Sequence, residues 1–303
     1  MLAANPTIGE PLSPRRSRSG VPAEALFRWL VVLVGAQCWR WLLWTAGLPG
    51  PAPLLSALLS VSVIYYVEWF YVLRLLTRPA ASHLVPVAET VAVLTYFTFA
   101  MMVAGPDARL LAVPEAVYLA IRFRFSPSLK LAGTCLLLMV LQLFAMAKPL
   151  DVADDVVAGL DAAVVGHVLL LLKFPVAISA HIIQSLETPH GIDVRSGCAS
   201  THGIALVVSS FLIIVLARRG RWHRHDLRWL VLLVFGIFLV NWLRLGPMAL
   251  STQGYEYWHY GDGAAIVSFA DFCLTLIAAT AATKRDGPLA RKPGEAAIMA
   301  LPP

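Results

Sequence analysis

Nine apolar stretches, near residues 26–46, 54–73, 84–104, 110–121, 129–147, 156–178, 201–217, 228–246 and 263–283, occupy most of the 303-residue chain. A helix crosses the hydrocarbon core in ~20 apolar residues, with roughly 17–25 the usual range, so most of these runs have the length of a crossing. Only 14% of the residues are charged, against ~25% in a typical soluble domain. That leaves too little polar surface for a soluble enzyme, a disordered scaffold or a disulfide-stapled secreted domain. The four cysteines (Cys38, Cys135, Cys198 and Cys273) are too few and too scattered for a disulfide framework. The chain reads as an all-α integral membrane protein.

Charge distribution decides how many runs cross. If all nine cross, the 24 Lys and Arg divide evenly between the two sides. If 156–178 instead lies at the outer surface or re-enters, 18 of the 24 fall on the side of the N-terminus, which is a positive-inside pattern. That segment also carries Asp161, His167 and Lys173, preceded by Asp151, Asp154 and Asp155, each costly at the bilayer centre. The expected fold is a polytopic bundle of about eight transmembrane helices, with one interfacial or re-entrant segment. A short outer-face hairpin is expected in 177–197, where β-branched residues flank Glu187-Thr188-Pro189-His190-Gly191. Residues 1–24 read as a disordered cytoplasmic tail, 25–283 as a single transmembrane domain with its catalytic half at about 150–280, and 284–303 as a cytoplasmic tail. No small-residue cleavage site marks the first apolar run as a removable signal peptide. The short run ending at Ile121 is followed by Arg122 and Arg124, which are expected to snorkel to an interface.

On this path three polar residues reach one depth on the outer face. Cys198 precedes the run 201–217, Arg244 closes the run 228–246, and His259 lies in the loop before 263–283. A thiol is mostly protonated at neutral pH, and a helix N-terminus with a nearby Arg favours its anion. Attack on a peptide carbonyl creates an oxyanion that a guanidinium stabilises, and an imidazole hands the proton to the leaving amine. Each residue also has a bland reading: an incidental loop thiol, an Arg that snorkels to phosphate, and a His within an interfacial aromatic belt beside Tyr255, Tyr257, Trp258 and Tyr260.

The ordered set Arg195-Ser196-Gly197-Cys198-Ala199-Ser200, Asn241-Trp242-Leu243-Arg244-Leu245 and Trp258-His259-Tyr260-Gly261 resembles the exosortase/archaeosortase family over roughly residues 150–280. The resemblance implies a membrane cysteine transpeptidase or protease without a cofactor. Its substrates would be secreted proteins with a C-terminal tail built of a recognition motif, a membrane helix and a basic cluster. It further implies Cys198 as nucleophile, Arg244 as oxyanion or thiolate partner and His259 as general acid/base. Asn241 would position that Arg or the substrate, or bond a neighbouring helix. The location implied is a bacterial inner membrane with the active face extracytoplasmic. Two departures from the pattern stand out: Ala199-Ser200 replaces the usual Ser-Gly after the cysteine, and His259-Tyr260-Gly261 is one residue short of His-x-x-Gly.

A second reading keeps His181, His190, Cys198 and His202 as ligands of a metal-dependent enzyme or transporter, although their spacing matches no standard zinc motif. Arg40 and Asp271 lie at matched depth in the first and last runs, so a buried pair between them is expected. Glu68 has no evident partner. The basic loop Arg218–His225 reads as a patch for anionic lipid rather than for nucleic acid.

Overall fold

The computed structural model describes residues 20–45, 62–78, 83–103, 110–147, 151–195 and 198–284. Among them are ten helices: α1 (Ala23–Thr45), α2 (Val63–Leu76), α3 (Val87–Met102), α4 (Ala112–Arg122), α5 (Pro127–Ala147), α6 (Asp151–Leu171), α7 (Ser200–Arg219), α8 (Asp226–Leu250), α9 (Thr252–His259) and α10 (Asp262–Lys284). Five short strands accompany them: β1 (Gly20–Pro22), β2 (Leu84–Pro86), β3 (Val176–Ser179), β4 (Ile182–Ser185) and β5 (Gly191–Asp193). The mainly helical reading of the sequence therefore holds.

Among the described residues four helices are long and apolar enough to cross a membrane: α5, α7, α8 and α10. This is fewer than the eight expected, and the physical reasons are local. Helix α2 has 14 residues, α3 has 16 and α4 has 11. Helix α1 has 23 but includes Glu24, Arg28 and Arg40. The first part of the expected crossing 54–73 lies outside the described residues, as do residues 1–19 and 285–303 of the expected tails. Residues 20–24, read as tail, are folded: Gly20–Pro22 pairs antiparallel with Leu84–Pro86, and Ala23 begins α1.

Helix α7 is the hub, packed against α2, α5, α6, α8 and α10. It ends at Gly220, whose φ of 80° is a left-handed C-cap that glycine adopts without strain, with its N–H on Leu216 O at 2.7 Å. On one side α1, α2, α4 and α5 share an apolar core centred on Phe27, Leu30, Leu119, Phe123 and Leu136. There Phe27 and Phe123 meet edge-on at 4.9 Å. On the other side a second core joins α6, the end of α8 and the strands β3 to β5 through Val165, Ile183, Ile192, Leu245 and Met248.

The expected hairpin is present and gains a strand. β3 pairs antiparallel with β4, Val176 opposite Ser185, and β4 pairs with β5, Ile183 opposite Ile192. The sheet is tied to the end of α8, where carbonyls have no partner within the helix. His190 Nε2 meets Met248 O at 2.8 Å, and Thr188 Oγ1 reaches Leu250 O at 3.5 Å.

The expected Arg40–Asp271 pair does not form. Arg40 donates to the carbonyls of Met101 and Val103 at the end of α3, and Asp271 on α10 faces a different cavity. Matched depth sets height in a bundle and says nothing of which helices are neighbours. Glu68 gains a partner in Ser210 of α7, which donates at 2.5 Å. Arg122, expected at an interface, forms an ion pair with Glu89, bonding Oε2 at 3.0 Å.

Candidate active site

Cys198, Asn241, Arg244 and His259 come together where α7 begins, α8 ends and α9 carries the chain toward α10. Ser251 caps α9 by accepting from Gly254 N at 3.0 Å, and His259 occupies the last position of that helix. The ring of His259 lies 4.8 Å from that of Tyr255 and 4.4 Å from that of Tyr260, centroid to centroid. The aromatic surroundings seen in the sequence therefore pack the imidazole.

Cys198 Sγ stands 4.0 Å from His259 Nδ1. Arg244 Nη2 bonds the same nitrogen at 3.1 Å, and Arg244 Nε bonds Trp258 O at 3.0 Å. A guanidinium only donates, so Nδ1 carries a lone pair and the neutral ring holds its proton on Nε2. One lone pair thus faces both the thiol and the guanidinium. The thiol-to-imidazole approach is long for a proton transfer, as catalytic contacts often are before substrate binds.

The resting site favours neutral groups. Burial raises the Cys198 thiol above its ordinary value, with Arg244 pulling the other way and Asp193 adding to the rise. Burial and the Arg244 charge hold the His259 imidazole below its ordinary value. This corrects the expectation of a thiolate favoured by the helix N-terminus. Cys198 is only 1% exposed, and the N-terminus of α7 is already occupied by a carboxylate: Asp161 Oδ2 accepts from Ser200 N at 2.8 Å. That charge offsets the positive end of the helix before the thiol can use it.

Asp161 organises the whole corner. Its Oδ1 accepts from Ser200 Oγ at 3.0 Å and from Trp242 Nε1 at 2.7 Å. Asn241 completes the network by donating to Cys198 O at 2.9 Å and to Ser200 Oγ at 3.1 Å. It therefore fixes the cysteine backbone and bonds a neighbouring helix, α7, which is one of the roles read from the sequence; among the described residues no hydrogen bond joins it to Arg244. Asp154, two turns earlier on α6, accepts from Thr201, the next residue of α7. Asp155 and Asp193 both meet Arg195 at 3.4 Å, holding the segment that enters the site. Sequence reasoning took Asp161 and Asp154 only as charges unsuited to a bilayer. The signal that could have found them is their spacing of seven residues, two turns on one face of α6, opposite the adjacent hydroxyls of Ser200 and Thr201.

Ser196 and Gly197 lie outside the described residues. The four candidate metal ligands do not converge. His190 is bonded to Met248 O, His181 faces Asp193 at 3.6 Å, Cys198 faces His259, and His202 lines the cavity below. Among the described residues no three His, Cys, Asp or Glu side chains are grouped to hold a metal ion.

A cavity of about 190 Å³ opens beside Ala199 and Ser200 and runs between α7, α8 and α10, past Asn241 and Arg244, to Asp271. It is large enough for a side chain, and its lining begins at Ala199, the residue after Cys198. No protein-family model, curated protein or solved structure matches the chain.

Proposed function

We propose that the chain is a membrane-embedded cysteine transpeptidase or protease that cleaves the C-terminal sorting tail of secreted proteins through a thioester. The observation that carries the reading is the meeting of a buried thiol, an imidazole lone pair and a guanidinium within 4.0 and 3.1 Å. The substrate class comes from the resemblance of the Cys198, Asn241–Arg244 and His259 segments to the exosortase/archaeosortase family. In the same proposal the long apolar helices cross an inner membrane, α6 lies at the outer interface, both termini are cytoplasmic and the site faces outward. The contacts of Asp154 and Asp161 with the adjacent Thr201 and Ser200 support that placement of α6. They hold both ends of a stretch of about 10 Å against one end of α7.

Chemistry begins from the neutral pair. As Cys198 Sγ bonds the peptide carbonyl carbon, its proton passes to His259 Nδ1. Arg244 must leave that nitrogen for this transfer, and the new oxyanion gives it a stronger partner. Collapse of the tetrahedral species breaks the C–N bond, and His259 returns its proton to the departing amine. An acceptor amine or water then attacks the thioester, with His259 again taking a proton and restoring it to the departing thiolate. Asn241 and Asp161 hold the Cys198 carbonyl and Ser200 throughout, so the nucleophile does not reorganise between steps.

The test is an immunoblot of a tailed secreted protein in its host, comparing wild type with Cys198→Ala at equal membrane abundance. The proposal expects precursor to accumulate only with the variant. Unchanged processing would remove Cys198 from the chemistry.

A further inference from the structure

The cavity that begins at Ala199, next in sequence to the nucleophile, is lined by a carboxylate whose needs the protein does not meet. Asp271 is 9% exposed, and its Oδ1 has no hydrogen-bond partner among the described residues. A buried acceptor in that state costs free energy until a donor reaches it. Arg244 lines the same cavity, yet its Nε and Nη2 are directed to Trp258 and His259. The remaining walls include the short Ser200, Gly203, Ala264 and Ser268. Asp271 lies against α7 at Gly203: a Cβ there would stand in ordinary contact with Asp271 Oδ2 at 3.7 Å and would crowd Ile237 Cγ2 at 3.1 Å.

We propose that this cavity is a specificity subsite for a primary-amine side chain of the peptide held at Cys198, with its ammonium seated on Asp271. The inference rests on the cysteine chemistry proposed above and adds the class of residue read next to the cut. Gly203, which lies against the carboxylate, is three residues into α7, about 4.5 Å along the axis from Ser200 at about 1.5 Å per residue, and Cys198 stands two residues before the helix begins. An ammonium on Asp271 is therefore too deep to attack a thioester carbon at Sγ, so the amine belongs to a bound side chain and not to the acceptor. A side chain of lysine length spans that depth. A carboxylate would be repelled by Asp271, and an apolar group would leave Oδ1 unmet.

The experiment uses the full-length protein in detergent and three reagents that place different arms on Cys198: 2-aminoethyl, 2-sulfonatoethyl and methyl methanethiosulfonate. Rates of modification at Cys198 are read by peptide mass spectrometry in wild type and Asp271→Asn. The aminoethyl-to-methyl rate ratio is expected to fall about tenfold in the variant, the scale of one partly desolvated charge pair, and the sulfonatoethyl-to-methyl ratio to rise. Asp271→Glu should keep the wild-type ratios. Equal ratios in wild type and Asp271→Asn, with a normal methyl rate, overturn the subsite. Should Asp271→Asn fold poorly, Ser268→Lys sets a competing ammonium in the same cavity and must lower the aminoethyl ratio; no change there overturns the proposal equally. Labelling needs a thiol and no turnover. The expected ratios in a chain that processes no tail would fault the peptidase function while leaving the cavity chemistry standing.

Discussion

Asp161 and Glu115 are both sealed from solvent, one beside the candidate active site and one in the core of the N-terminal helices. Asp161 accepts from a backbone N–H, a serine hydroxyl and an indole, and through them it joins α6, α7 and α8. Neither carboxyl oxygen of Glu115 has a hydrogen-bond partner among the described residues, and its neighbours Ala112, Ala116 and Leu119 belong to a packed apolar core. A buried charge by itself does not mark a working site. The mark is a charge connected on several sides to groups whose positions matter, because a satisfied network fixes geometry and an isolated group only costs stability.

The sharpest way to break this contrast is to remove the base at the connected end. His259→Ala is expected to lower tail processing about 10²–10⁴-fold at unchanged protein level, measured by pulse-chase of a tailed substrate. Next in size is Asp161→Asn, which sets an amide against the Ser200 N–H and the Trp242 indole. It should cost about 2–3 kcal/mol in unfolding of the solubilised protein and loosen Cys198 as well. Glu115→Leu should act in the opposite direction, stabilising by about 1 kcal/mol, since it deletes two unmet acceptors and keeps the volume. Destabilisation by Glu115→Leu as large as that of Asp161→Asn would erase the distinction between the regions.

The smallest effect is on pH dependence. Burial and Arg244 lower the His259 value, so the neutral base survives below the ordinary histidine value of about 6.5. Processing should therefore fall only as pH drops through a point under 6.5. Arg244→Gln removes the repelling charge and leaves the burial, so the residual activity should lose its acid tolerance, with the limb moving upward toward 6.5. A limb that stays in place would mean that Arg244 does not act on the His259 base.

Much of the site was legible because alternating crossings carry residues far apart in sequence to one end of a bundle. That is how Cys198, Arg244 and His259 share a corner although the cysteine and the histidine stand 61 positions apart. The short sheet was legible too, from β-branched residues around a Pro-containing turn. What the pattern did not carry is rotation about each helix axis. Arg40 and Asp271 agree in depth and still face different partners. Asp161 looked like a cost of crossing the membrane because its three donors come from residues 39 and 81 positions away. The number of crossings was over-read for a related reason: apolar runs mark burial in protein as well as in lipid, and α2 and α4 are short elements packed into the bundle.

The central claim is that Cys198 carries the acyl group. The direct measurement is acid quenching of the wild-type protein during processing of a tailed substrate, followed by mass spectrometry of the Cys198 peptide. The account predicts an acyl adduct on Cys198 that hydroxylamine removes and that is missing in Cys198→Ala, which also fails to cut the tail. Tail cleavage with no adduct on Cys198, at the same rate in Cys198→Ala, would contradict it.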